Sequence, residues 1–236
     1  SIKLKKISLE NHHLALHSLA RLLKRKNEIT RVESYDNSHT FGKNSVGVMV
    51  VADKEGLSPK HYRKFNIRYD LKDKNISKID DYYMMEEVLT RRLSKINPND
   101  KFQVPDVIII DGGRGQFNSV SKILKKFKLE KIDLLSISKG PERNVGREII
   151  HLEKKNLNLK PNDNLLSFIQ RLRDEAHRFA ITAHRSRRTK ASIKSVFDEI
   201  KGIGPKRKKD LMIHFGTVQK IKSASMDELK KIKTIP

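Results

Sequence analysis

The sequence predicts an α/β protein, with a mixed β-sheet flanked by helices and a small all-α domain after it. Three features indicate this arrangement. Three short β-rich stretches lie close together near the amino terminus, a strand–helix–strand pattern surrounds an apolar stretch in the middle, and the last quarter combines helical spacing with a concentration of basic residues. Strands that alternate with helical stretches are typical of a sheet that helices cover.

The order of the elements defines the sheet more closely. Residues 31–38, 45–52 and 62–69 are β-rich and separated by turn residues, which predicts an antiparallel meander. Residues 80–94 have apolar residues near helical spacing. Residues 104–111 are apolar on both faces, the pattern of a central parallel strand, and Gly112 and Gly113 end it. Predicted helices at 116–127 and 164–185 enclose a strand at 132–138. This order matches the ribonuclease H type of fold, although topology alone does not establish chemistry.

Composition excludes several classes of protein. The chain has 236 residues and no cysteine, which rules out disulfide scaffolds, thiolate zinc sites, iron–sulfur clusters and cysteine nucleophiles, and favours a reducing, cytoplasmic location. No apolar run approaches the ~20 residues that cross a bilayer, and the first residues lack the apolar core of a signal peptide. The 51 Lys+Arg against 28 Asp+Glu give a net charge of +23, which favours a polyanionic partner. A lysine-rich chain can also simply reflect an AT-rich genome.

The charge is distributed unevenly along the chain. The last 58 residues carry 15 Lys+Arg and 5 Asp+Glu, a net charge of +10, which predicts a small basic domain after a less charged body. Residues 184–192 are polar and mixed, which indicates a linker or a frayed helix end. We therefore predict a helical lead-in over residues 1–29, a body over 30–190 and a basic helical domain over 191–236.

Two aspartates stand where predicted strands end. Asp36 ends the first strand, and Asp111 ends the apolar strand just before two glycines. Functional sites of open α/β sheets gather at the carboxyl ends of strands. Two carboxylates brought together there repel each other unless a cation lies between them, and a divalent ion with oxygen ligands is the usual solution. Taken singly, each residue would be explained equally well as a turn aspartate.

The last predicted helix of the body offers a third group. Asp174 and His177 lie one helical turn apart on one face. His177 could then act as a metal ligand or general base, and Asp174 could orient its imidazole ring. The spacing alone also fits an ordinary solvated pair.

The basic domain contains the string Gly202-Ile-Gly-Pro-Lys-Arg. It predicts a tight turn in which Gly204 adopts positive backbone angles, with a helix starting at Pro205. Exposed amides at Gly202 and Gly204, with Lys206 and Arg207 beside them, predict a helix–hairpin–helix that binds nucleic-acid backbone without reading sequence. A generic basic helical turn is the alternative. A weaker echo over residues 226–236 has Thr234 and Pro236 at the glycine positions, so the second hairpin is degenerate or cut off.

These motifs together resemble the carboxyl-terminal half of UvrC, the incision subunit of bacterial nucleotide excision repair. The resemblance runs from about residue 28 to the end of the chain. It rests on the following strings in order: Tyr35-Asp-Asn-Ser-His-Thr, Tyr62-Arg-Lys-Phe-Asn-Ile, Asp80-Asp-Tyr, Val88-Leu-Thr-Arg-Arg, Pro105-Asp-Val-Ile-Ile-Ile-Asp-Gly-Gly-Arg-Gly-Gln, Ser138-Lys-Gly, Arg173-Asp-Glu-Ala-His-Arg-Phe-Ala-Ile, His184-Arg-Ser-Arg-Arg and Gly202-Ile-Gly-Pro-Lys-Arg.

The resemblance implies a ribonuclease H-like endonuclease domain followed by tandem helix–hairpin–helix elements, which make the incision on the 5′ side of a DNA lesion. The Asp-Asp-His triad of that family falls on Asp36, Asp111 and His177, and a further acidic residue falls on Asp81. The implied cofactor is Mg²⁺ or Mn²⁺. The implied partners are duplex DNA containing a lesion, a UvrB-like protein that loads the nuclease, and a UvrA-like damage sensor upstream.

The chain departs from the family pattern in several places. Asn37 stands where the family usually has an apolar residue, and Arg114 where it usually has lysine. Residues 70–79 replace a shorter glycine-rich segment, which puts the position of Asp81 in doubt. The family's amino-terminal nuclease and UvrB-interaction segment are missing, so we expect a fragment that makes one of two cuts. An endonuclease V-like repair enzyme and a non-catalytic nucleic-acid-binding module remain as alternatives.

Overall fold

The computed structural model describes residues 2–38, 45–67, 81–97, 100, 103–138, 148–161, 163–198, 200 and 202–232. The chain divides into two compact units, Ser1–Ala183 and His184–Pro236, and each is described by itself. No helix among the described residues is long and apolar enough to cross a membrane.

The first unit is built on one mixed sheet, which has eight strands within the described residues. The strands are β1 (Arg31–Ser38), β2 (Val46–Asp53), β3 (Gly56–Leu57), β4 (Arg63–Asn66), β5 (Val107–Asp111), β6 (Asp133–Ser138), β7 (Ile149–His151) and β8 (Asn156–Asn158). They follow the order β3-β2-β1-β5-β6-β7-β8, and β4 also pairs with β2. The pairs β1–β5 and β5–β6 are parallel, so these three strands end at the same edge of the sheet.

Helices cover both faces of this sheet. They are α1 (Ile2–Leu22), α2 (Asp81–Leu93), α3 (Arg114–Lys126) and the long α4 (Asn164–Asp198). The apolar side chains of α1 and α4 pack on one face, with Val32 and Ile109, whereas those of α2 and α3 pack on the other, with Tyr35 and Ile110. Neighbouring residues of a strand point to opposite faces, which explains why one strand supplies both cores.

Beyond the end of α4, the second unit has three short helices within its described residues. They are α5 (Pro205–Phe215), α6 (Val218–Ser223) and α7 (Met226–Lys230). Leu211 and Ile232 form its buried centre, and partly buried apolar residues of all three helices pack around them. Thr217 caps α6, and Ser225 caps α7 through a reciprocal capping box with Glu228. Such caps satisfy backbone N–H groups that have no partner within the helix. Thr234 and Pro236 lie outside the described residues.

The structure agrees with the predicted elements over most of the first unit and differs at three points. The helix after Asp111 begins at Arg114, two residues earlier than predicted, because Gly113 occupies the position before the helix. The sequence did not indicate β3, β7 or β8. Helix α4 also continues through residues 184–192, where a linker or a frayed helix end was expected.

Candidate active site at the carboxyl edge of the sheet

Asp36 and Asp111 are neighbours at the edge where the parallel strands end. In the β1–β5 register Tyr35 lies beside Ile110, and each aspartate is the next residue of its strand. Both side chains fall on the face that α4 covers, since Tyr35 and Ile110 contribute to the opposite core. The predicted convergence of the two strand ends is therefore seen in the fold.

The Asp36 carboxylate is held in a sheltered position. Its side chain is only 12% exposed, and its Oδ2 lies 3.2 Å from Nδ1 of His177 on α4. Burial raises the pKa of Asp36, the hydrogen bond with His177 opposes that rise, and the negative charge of Asp111 adds to it. A carboxylate that is buried beside another carboxylate favours a nearby positive charge.

His177 joins this pair from the helix above the sheet. Ala176 and Ala180 of α4 are buried against the core, which turns the imidazole toward the carboxyl edge. The His177 side chain is 67% exposed, in contrast to Asp36. An ionised Asp36 can only accept this hydrogen bond, so Nδ1 of His177 is the donor. In a neutral ring Nε2 then carries a lone pair that faces away from Asp36.

The loop after Asp111 is fixed by contacts that the sequence did not indicate. The Gly112 amide donates to the Ile137 carbonyl oxygen at 2.8 Å. Arg114 donates to the carbonyl oxygen of Leu152 and to the side chain of Asn156, which ties the start of α3 to the β7–β8 hairpin. Such contacts hold the strand end that carries Asp111. Only the tertiary structure reveals them, because the hairpin lies about 40 residues further along the chain.

The other predicted site residues of the first unit are Asp174 and Asp81. The Asp174 side chain is 72% exposed and contacts Arg173 at 3.5 Å, and no hydrogen bond joins it to His177 within the described residues. Asp36 takes the orienting position that the sequence assigned to Asp174. Asp81 is the exposed first residue of α2, a helix that packs on the opposite face of the sheet from α4.

The donor set suits a hard divalent cation, because carboxylate oxygens and an imidazole nitrogen are ligands for Mg²⁺ or Mn²⁺. Among the residues that the structure describes, no group of three or more histidine, aspartate or glutamate side chains has its atoms arranged to hold a metal ion. The direct hydrogen bond between His177 and Asp36 uses one oxygen and one nitrogen that a metal would otherwise take.

The glycine turn of the second unit has the predicted helix but different backbone angles. Pro205 is the first residue of α5 and Gly204 precedes it. Gly202, not Gly204, has the positive angle, with φ of 88°, whereas Gly204 is extended with φ of −78°. Arg207 donates to the Gly202 carbonyl oxygen and so closes the turn, while Lys206 is exposed. The expectation for Gly204 was therefore wrong, because the chain reverses two residues earlier.

Comparison with known proteins gives consistent matches. Residues 20–181 match the UvrC RNAse H endonuclease domain. The chain is 49% identical over 210 residues to the UvrABC system protein C of Zymomonas mobilis, which covers 87% of this chain and 31% of that protein. It is 46% identical over 228 residues to the same protein of Bradyrhizobium diazoefficiens, covering 92% of this chain and 33% of that one. The chain thus spans about a third of the length of these relatives.

Solved structures give more distant matches. Endonuclease V of Ciona intestinalis, in complex with a 24mer DNA containing an inosine followed by a ribo-adenosine, has a TM-score of 0.34 and 14% identity, with 48% of this chain and 46% of that chain covered. Human ENDOV has a TM-score of 0.35 and 12% identity, with coverage of 59% and 60%. The family model matches residues 20–181, well over half of the sequence, and by this match the chain belongs to the UvrC RNase H endonuclease domain family.

Proposed function

We propose that this chain is a divalent-metal-dependent endodeoxyribonuclease that makes the 5′ incision beside a lesion in nucleotide excision repair. One observation carries the proposal: Asp36 and Asp111 lie on one face of the sheet, at the edge where the neighbouring parallel strands β1 and β5 end, and His177 contacts Asp36 from α4. Membership of the endonuclease family supports the reaction class.

The three side chains have separate roles in this proposal. Asp36 and Asp111 would hold Mg²⁺ or Mn²⁺, which when bound activates water and stabilises the charge that develops on the scissile phosphate. Asp36 orients His177 through Nδ1, and the exposed side of the ring is then available to take a proton from the attacking water.

The second unit would hold the substrate. The extended Gly204 precedes α5 without a side-chain cap, and Lys206 is exposed at the start of the helix. Helix amino termini and lysines bind phosphate groups, which gives affinity for DNA backbone without sequence preference. By the naming of the relatives, the partners would be a UvrB-like loading protein and a UvrA-like damage sensor. We keep Asp81 as a further acidic candidate and Asp174 as a positioning candidate.

The test measures nicking of duplex DNA with a single lesion, in Mg²⁺ or Mn²⁺ and with the loading proteins present. We expect Asp111→Asn and His177→Ala to lose at least about 100-fold in cutting, since general acid–base and metal-ligand roles have effects of this size. Both variants should bind DNA as the native chain does. Native rates of cutting in both would refute the site.

Asp174→Asn is the matched control for this test. It removes a carboxylate one helical turn from His177, but one whose contact is with Arg173. We expect it to cut within a few-fold of the native chain. A loss as large as that of His177→Ala would instead support the positioning role that the sequence suggested. If the native chain binds DNA and never cuts it with either metal and the partners present, a non-catalytic binding module is the correct description.

A further inference from the structure

Lys64 lies in line with the candidate site, on the side away from Asp111. It pairs with Val48 in the β2–β4 register, and Val48 pairs with Asp36 in the β1–β2 register. Residues that pair across strands share a face of the sheet, so Lys64 and Asp36 both face α4. Two inter-strand spacings separate their Cα atoms by about 10 Å.

The Lys64 ammonium is held by a ring of the helix that carries His177. Its Nζ lies 4.8 Å from the centre of the Phe179 ring. Phe179 is two residues beyond His177 in α4, and its ring packs edge-on against Tyr62 at 5.2 Å. A cation over an aromatic face is attracted by the electron density of the ring. This contact keeps the charge above the same face of the sheet as the site.

The charge of Lys64 is also available to a ligand. Lys64 is exposed, and in the part of the chain that the structure describes no carboxylate lies within ion-pair distance of it. Nearby arginines on α4 differ: Arg178 is paired with Glu175 at 2.7 Å, and Arg173 contacts Glu148 at 3.5 Å. Lys64 is therefore a positioned cation on the same face of the sheet as Asp36 and Asp111, without an acidic partner of its own among the described residues.

We propose that Lys64 binds a backbone phosphate of the cleaved DNA strand, within about three nucleotides of the scissile phosphate. This inference rests on the proposed function. The distance of about 10 Å between the two Cα atoms equals about three steps of the 3.4 Å rise per nucleotide along the duplex axis. An ammonium on a flexible stem suits a phosphate oxygen as a point charge, and such a contact positions the strand without reading its bases.

The first experiment measures the affinity of the 236-residue chain for lesion-containing duplex DNA across a salt series, without divalent metal so that no cutting occurs. Lys64→Met keeps the aliphatic stem and removes the charge, and Lys64→Arg restores the charge over the ring. Lys126→Met is the matched control, because Lys126 is exposed at the far end of α3. We expect Lys64→Met to reduce the slope of log K against log salt by about 0.9, and Lys64→Arg and Lys126→Met to retain the native slope. Equal slopes for Lys64→Met and the native chain would overturn the inference.

The second experiment locates the phosphate. Single neutral methylphosphonate linkages are placed in turn on each side of the incision position. One linkage within three nucleotides should weaken binding of the native chain and should weaken Lys64→Met no further. If every linkage affects the two proteins equally, Lys64 contacts no phosphate there. Binding is measured separately from nicking, so the two proposals can fail independently. If the native chain cuts DNA but Lys64→Met binds it as Lys126→Met does, only this inference is disproved. If the native chain never cuts DNA, the proposed function is disproved.

Discussion

At the scale of single residues, the strand-end aspartates could be predicted from the sequence and the contact of the histidine could not. Asp36 lies near the end of β1 and Asp111 is the last residue of β5, and parallel pairing brings such strand ends together. His177 reaches Asp36 across 141 residues, because the packing of α4 on the sheet decides which helical face meets the carboxyl edge. Helical spacing favoured Asp174 as its partner, since spacing reports only neighbours along one helix.

The glycine turn gives a prediction at this scale. Gly202→Ala forces a Cβ into a backbone with φ of 88°, which costs about 1–2 kcal/mol for an L-residue. Gly204→Ala is the matched control, since φ is −78° and nothing lies within 4 Å of an added Cβ. Chemical denaturation followed in the second unit should show the loss only for Gly202→Ala. Equal losses for both variants would mean that backbone strain does not set the stability of this turn.

At the scale of elements, the strands with clear apolar patterns were predicted and the short edge strands were not. Strand β1 has the predicted bounds, and β5 is the buried parallel strand that its continuous apolar stretch indicates. Strands β7 and β8 have three residues each, too few for an alternating pattern to stand out. They form through pairing with β6, and Arg114 then fastens them to α3.

Helix α1 packs more closely on the sheet than a lead-in suggests. Ala15 and Leu19 are buried with α4, and His12 is only 2% exposed. The His12 Nε2 lies 2.7 Å from the Asp53 carbonyl oxygen, and Nδ1 lies 3.0 Å from an Arg171 nitrogen. Since arginine can only donate, Nδ1 accepts and Nε2–H donates, which requires a neutral ring.

This arrangement predicts a loss of stability in acid. Burial lowers the pKa of His12, with the Arg171 charge acting in the same direction, below the value of 6.5 expected in the unfolded chain. The unfolded state therefore binds more protons in that window, and the free energy of unfolding falls as pH drops from about 6.5 toward the folded pKa. Melting temperatures should decrease over this range in the native chain and less in His12→Gln, which can keep both hydrogen bonds.

His13→Gln serves as the control for that measurement. His13 is the next residue of α1, is exposed, and contacts the Lys54 carbonyl oxygen at 2.9 Å. Its charge contributes less than burial and Arg171 to the lowered pKa of His12, so its replacement should change the acid dependence less than His12→Gln does. An identical pH profile in native chain and His12→Gln would show that His12 is not the group that titrates.

At the scale of the whole molecule, the charge and the core are divided differently between the two units. The second unit, residues 184–236, carries a net charge of +10 in 53 residues, yet among those whose burial the structure describes only Leu211 and Ile232 are buried in its core. The first unit has two large clusters, one on each face of its sheet. Small domains bury too little surface to be very stable. The part of the chain richest in positive charge thus depends on the smaller core.

Leu211→Ala should therefore unfold the second unit and leave the first intact. Removing a buried leucine costs about 2–5 kcal/mol, which is comparable to the whole stability of a unit this small, and the first unit has two buried clusters of its own among the residues that the structure describes. Hydrogen exchange should show lost protection in α5 and retained protection in β5, and affinity for duplex DNA should fall.

Ile213→Ala, on the same helix but 71% exposed, should change neither measurement. If Leu211→Ala also loses protection in β5, the two units unfold together. If its second unit is unfolded and its affinity for DNA is still native, DNA binding lies in the first unit alone.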